Sequence, residues 1–294
     1  MIDSNVMKNI ERFGERYCKK YLFRWNKERL ENNWWEALKF FFSHSFPRGR
    51  PDRLSMEYYS FTIKALEDYF AITNENLEES YKRLKEQKEH FNKEHILKFK
   101  KNIGGRSSVK HPDFEKEIAE KNPVVKLLVT SKVVKVEWDD ENYNKTIRLK
   151  NVEDIMMVLD VLKFISNDEK KNVYNYLRNM ITHDIKVAYG ELIKMRAIKD
   201  KIATLIIRDI GLLNPEIKIA YEDYKLAFPV DTWVKRIARK LGCESEKIEE
   251  IKSFLIEKCN EFHIEPLKFA AGLWFLGSHS LDILLEDYLG KVKI

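Results

Sequence analysis

Apolar and aromatic residues recur every three or four positions over most of this chain, the period of an α-helix that turns one face to a core. Tyr17, Tyr21 and Trp25 keep that spacing, as do Trp34, Leu38, Phe41 and Phe42, within a stretch from about Asn9 to Phe70. The pattern returns at Val152. Helices are expected at about Val152 to Ile165, Asp168 to Met180, His183 to Tyr189, Lys199 to Ile210, Asp231 to Leu241, Glu246 to Phe262 and Pro266 to Gly277. Ser166 and Asn167 stand before one of these as caps, and Gly242 closes another. One region departs from the period. Val124 to Val129, Lys132 to Trp138 and Lys145 to Leu149 are rich in β-branched residues, with a turn at Asp139 to Asn144, so a small antiparallel sheet is expected there. A charged helical stretch from Asn76 to Lys101 ends in Gly104 to Ser108, which reads as a linker. The expected class is mainly α with a small antiparallel β insertion, in three parts: residues 1–75, 76–150 and 151–294.

At 294 residues the chain can build one large domain or two small ones sharing an interface. Ten Gly and seven Pro against 34% charged residues fit a helical, salt-bridged surface. A formal charge of +6 suits a polyanionic partner, because clustered Lys and Arg gain affinity by releasing phosphate counterions. Cys18, Cys243 and Cys259 are far apart and odd in number, which argues against a disulfide framework or a Cys-based metal site. No apolar run follows the N-terminal charges, and none approaches the ~20 residues that span a bilayer, so a soluble intracellular protein is expected. The histidines lack HExxH spacing and no G-x-S-x-G element occurs, which leaves hydrolysis through zinc, serine or cysteine without support.

Two segments carry chemistry and one carries charge. In Phe46 to Arg53, Pro47, Gly49 and Pro51 break the helix while Arg48, Arg50 and Arg53 crowd one loop, so the loop is either a solvated turn or a phosphate clamp. In Phe228 to Gly242, Asp231 starts a helix, where free amides and the helix dipole favour a carboxylate. Upstream, Met195 to Asp209 holds Lys201 at a helix start.

Together these segments resemble the helix-hairpin-helix DNA glycosylases, whose sequences carry Pro-Val-Asp-Thr-x-Val-x-Arg, here Pro229 to Arg236. That family places a hairpin before a Lys-x-Ala helix start, here Lys201 to Ala203, with Ala197, Ile198 and Lys199 as the turn; its usual Gly-x-Gly is absent. The long interval from Lys201 to Asp231 is similar to that of the archaeal 8-oxoguanine DNA glycosylases. So are Trp35 to Pro51, Met56 to Ser60, Leu66 to Phe70 and Pro266 to Gly277. These blocks cover half to two-thirds of the chain and leave the β insertion outside.

The resemblance implies a two-lobed helical helix-hairpin-helix glycosylase fold and a bifunctional DNA glycosylase and AP lyase acting on damaged DNA, 8-oxoguanine favoured. Lys201 is implied as the amine that attacks the sugar C1′ and forms a Schiff base, with Asp231 as its partner carboxylate. Trp274 and Tyr58 are implied as the rings that sandwich the extruded base, and Arg48, Arg50, Arg53, Ala197, Ile198 and Lys199 as DNA contacts. Ala270 stands where the family's acidic reader of the purine edge is expected. No metal and no cofactor is implied, and a monomer in a prokaryotic cytoplasm, near the nucleoid, is expected. A glycosylase for another oxidised or deaminated base, a non-catalytic nucleic-acid-binding protein and a helical protein-interaction module stay open.

Overall fold

The computed structural model describes residues 3–103, 109–138 and 141–284. The chain is mainly helical, with one two-stranded antiparallel sheet among the described residues. The first helices are α1 (Ser4–Tyr17), α2 (Lys27–Asn32), α3 (Trp34–Ser45), α4 (Asp52–Phe70), α5 (Leu77–Glu86) and α6 (Glu94–Asn102). Then come α7 (Pro112–Phe114), α8 (Pro123–Val129), β1 (Lys132–Trp138), β2 (Glu141–Ile147), α9 (Val152–Ile165) and α10 (Val173–His183). The last are α11 (Ile185–Lys194), α12 (Asp200–Leu213), α13 (Thr232–Lys240), α14 (Ile248–Glu261) and α15 (Pro266–Ser278). These elements form two compact units interleaved along the chain. The first unit takes residues 1–27, 178–190 and 200–294, the second 28–177 and 191–199.

In the first unit α15 packs along α1 and also touches α12, α13 and α14. Its backbone approaches α1 closely enough that only glycine fits. A Cβ on Gly272 would lie 1.8 Å from the Ile10 carbonyl oxygen, and one on Gly14 would lie 2.0 Å from that of Lys268. Around this contact Met7, Ile10, Phe228, Val234, Leu255 and Phe269 close an apolar core. Beside it Arg208, 1% exposed, donates Nε–H to Asp209 at 2.7 Å, and the Tyr17 hydroxyl donates to the other Asp209 oxygen at 2.6 Å. Burial, reinforced by the Asp209 charge, raises the Tyr17 pKa, which keeps its hydroxyl a donor.

In the second unit α9 buries Ile155, Met156, Met157, Val158 and Leu159, five consecutive residues that cover all sides of the helix, so its middle is packed on every side. The Asn151 side chain caps it by accepting from the Glu153 amide at 2.9 Å. The sheet lies against α4. Its register pairs Lys132 with Ile147, Val134 with Lys145 and Val136 with Tyr143, which sends Val134 and Val136 inward and Val133 and Lys135 outward.

Three expectations are corrected here. Val124 to Val129 is helix rather than strand: Pro123 occupies the first helical position and the Asn122 side chain accepts from the Val124 and Val125 amides, a local start that outweighs β propensity. The segment from Asp168 begins as a short 3-10 turn, and the helix proper starts at Val173 because Asn172 supplies a second cap, accepting from the Asn175 amide. Strand β2 begins at Glu141, inside the expected turn. Asp139 and Asp140 lie outside the described residues, as does the Gly104 to Ser108 linker.

Replacing Gly272 with Ala should cost about 1–3 kcal/mol or more, because backbone must move to admit the methyl. Gly190→Ala, on α11 with open space around it, should instead stabilise by about 0.5–1 kcal/mol. Thermal melts of the two variants check this, and a Gly272→Ala midpoint equal to wild type would refute the close approach.

Candidate functional site

A pocket of about 920 Å³ lies within the second unit. It gathers six of the residues expected at a site: Arg48, Arg50 and Tyr58 from the start of α4 and the loop before it, and Ala197, Ile198 and Lys199 from the turn after α11. Seven cationic side chains line it against one carboxylate, Glu153, so its interior favours anions.

Carboxylates of α9 hold this wall in place. Asp154, in the helix's first turn, has no exposed surface. It accepts from both guanidinium nitrogens of Arg50, at 2.8 and 2.6 Å, and from Nη2 of Arg48. The two arginines, only 14% and 13% exposed, thus share one negative charge. Burial, with Arg50 alongside, lowers the Arg48 pKa to about 10. Arg50 also lies over the Tyr58 ring at 5.0 Å, which occupies that face of the tyrosine. Arg53 does not join the pocket: it stacks on Tyr143 of β2 at 4.5 Å and donates to the Tyr143 hydroxyl at 3.0 Å.

The turn at Met195 to Lys199 is tied to the same helix. Ala197 has φ +63°, a left-handed conformation that glycine adopts without strain and alanine does not. Its neighbour Arg196 donates its backbone N–H to Asp160 at 2.7 Å and a forked pair of side-chain bonds to Glu153 at 2.6 and 2.9 Å. Lys93 pairs with Asp160 and Lys100 with Glu153. Lys150 and Lys199, both lining the pocket, have no ion pair among the described residues.

The remaining expected residues sit on three helices of the first unit. Lys201 is in the first turn of α12, half-buried, and its ammonium makes no hydrogen bond or ion pair among the described residues. The preceding Asp200 anchors that turn, accepting from the Tyr189 hydroxyl at 3.1 Å and from the buried Lys252 amine at 2.8 Å. Asp231 caps α13 through one oxygen, which accepts from the Trp233 and Val234 amides at 2.9 Å each; its other oxygen has no hydrogen bond among the described residues. Trp274, on α15, meets Tyr17 and Tyr21 edge to face at 5.7 and 5.6 Å and is half-buried. Ala270 is fully buried in the core, so that position presents no polar group to a ligand.

Sequence reasoning missed Asp154, Asp160 and Glu153 as partners of the basic loop and turn. Their only sequence signal is a set of three acids on a helix whose other residues are apolar except Lys163. It also missed the Tyr21 hydroxyl, which hydrogen-bonds His279 Nε2 at 2.6 Å while His279 Nδ1 bonds Asp282 at 3.0 Å, beside Trp274.

Hydrogen bonds from Arg196 hold the Glu153 pKa down at about 2, with Lys100 adding to them against the effect of burial. A carboxylate depressed on folding stabilises above its ordinary pKa, and the contribution is lost as pH falls through the folded value. The destabilisation caused by Glu153→Gln should therefore be largest near neutral pH and shrink between about pH 5 and pH 2. Denaturant melts of both proteins across that range test it, and a penalty independent of pH would rule it out. No family model, no curated protein and no solved structure matches this chain.

Proposed function

We propose that the protein is a DNA glycosylase and AP lyase of helix-hairpin-helix type, acting on an oxidised base of which 8-oxoguanine is the favoured example. The observation that carries this reading is the left-handed turn at Ala197 between α11 and α12, which lines a cationic pocket and runs directly into the helix start that bears Lys201. A turn of that kind presents amides and positive charge to phosphate. Asp231 adds support: its cap holds one oxygen rigidly and leaves the other for chemistry.

In this reading an extruded nucleotide exposes its C1′ to the Lys201 amine. The nitrogen bonds to C1′ as the bond to the base breaks, and the base leaves with the electron pair. Asp231 stabilises the positive charge that develops on the sugar and moves protons at the amine. Opening of the sugar gives an imine. Loss of a C2′ proton then breaks the C3′–O bond and releases the downstream strand with a 5′-phosphate. Trp274 supplies a stacking face for the base. A second reading, the same chemistry on a different damaged base, is favoured by Ala270, which puts apolar core where a purine-reading acid is expected.

Lys201→Gln is expected to abolish base release and borohydride trapping on lesion duplexes while binding is retained; trapping by this variant would move the nucleophile to another lysine. Asp231→Asn keeps a capping oxygen, so its melting should change by no more than about 1 kcal/mol, whereas single-turnover excision should fall by about 10²- to 10⁴-fold. An early melt with normal excision by the folded fraction would make Asp231 a cap alone.

A further inference from the structure

The pocket of the second unit is lined by seven cationic side chains and one carboxylate, Glu153. Arg48 and Arg50 share Asp154, which leaves one net cation beneath a surface where their side chains are only 14% and 13% exposed. The Nε atoms of both arginines are buried without a hydrogen-bond partner. Lys150 and Lys199, exposed and without ion pairs among the described residues, line the same pocket. An uncompensated buried charge is costly, and an anion entering the pocket offsets that cost.

We infer that this pocket binds the terminal phosphomonoester of a nucleic-acid strand rather than a phosphodiester within it. The cations that share one carboxylate, Arg48 and Arg50, are the pocket residues with only 14% and 13% of their side chains exposed. An internal phosphate carries a sugar on each side and lies along a groove, whereas a terminal phosphate, free on one side, can enter a recess and reach a pair of arginines. The phosphomonoester also carries up to two charges near neutral pH and three terminal acceptor oxygens, which suits guanidinium groups together with lysines. The pocket volume of about 920 Å³ accommodates an end nucleotide. The assignment rests on the glycosylase reading only in its choice of DNA: β-elimination leaves a strand end of this class.

The test uses undamaged oligonucleotides, identical except for a 5′-phosphate, a 3′-phosphate or hydroxyl ends, with binding read by fluorescence anisotropy on the full chain. A phosphorylated end should bind on the order of tenfold tighter or more than the hydroxyl form, as expected for charge-assisted hydrogen bonds. Lys150→Gln combined with Lys199→Gln should shrink that ratio. Arg48→Met should remove it. Because Arg48→Met leaves Arg50 and Asp154 as a balanced pair, its melting midpoint should match or exceed that of wild type. Saturating 5′-phosphorylated oligonucleotide should raise the wild-type midpoint and leave that of Arg48→Met unmoved.

Equal affinity for phosphorylated and hydroxyl ends overturns the inference, and so does a ratio that survives Arg48→Met in a folded protein. Competition by a nucleoside monophosphate as strong as that of the phosphorylated strand overturns the strand-end assignment in favour of a free nucleotide. Since no lesion is present, these outcomes are separate from the trapping experiment: failure of trapping leaves the end preference standing, and loss of the end preference leaves Lys201 chemistry untouched.

Discussion

A carboxylate with no exposed surface, Asp154, is the constraint on which the second unit's pocket depends. Burying it alone would cost several kcal/mol, so it must be met by cations, and the loop ahead of α4 supplies two. This ties a proline- and glycine-broken loop to a largely buried helix of the unit. It also overpays the charge, since one carboxylate meets two guanidiniums. The loop is neither a solvated turn nor a freely exposed clamp. It is a fixed wall that carries surplus positive charge toward a cavity.

The turn at Ala197 follows the same logic by other means. Alanine at φ +63° is strained by roughly 1 kcal/mol or more, and such a conformation persists only where its surroundings over-determine it. Here Asp160 takes the Arg196 amide and Glu153 takes the Arg196 guanidinium, both from α9. A turn in a conformation that glycine would adopt without strain is thus held by side-chain bonds to α9. Lys199 and the cation pair of Arg48 and Arg50 line one pocket because α9 fixes both their segments.

In the first unit close packing takes the place of charge. Gly14 and Gly272 let the backbones of α1 and α15 meet, and that approach sets where Trp274 can stand. Tyr17, which packs against Trp274 edge to face, is itself held by the buried pair of Arg208 and Asp209. The tryptophan is therefore seated by neighbours on two helices rather than swinging free.

The sequence by itself determined the helical class, the limits of α9 at Val152 and Ile165 and the cap at Asp231. These features rest on local physics, on apolar period, caps and helix-stopping residues, so neighbours a few positions apart suffice to specify them. It misjudged Val124 to Val129 because β-branched propensity is a weak preference that one Asn-Pro cap reverses. Only the tertiary structure decided that Arg48 and Arg50 share Asp154, that Arg53 turns away to Tyr143, and that Ala270 is core. Partners roughly a hundred positions apart leave no periodic trace in a sequence. The choice among several acids for one arginine is made by burial, which exists only after the helices have packed.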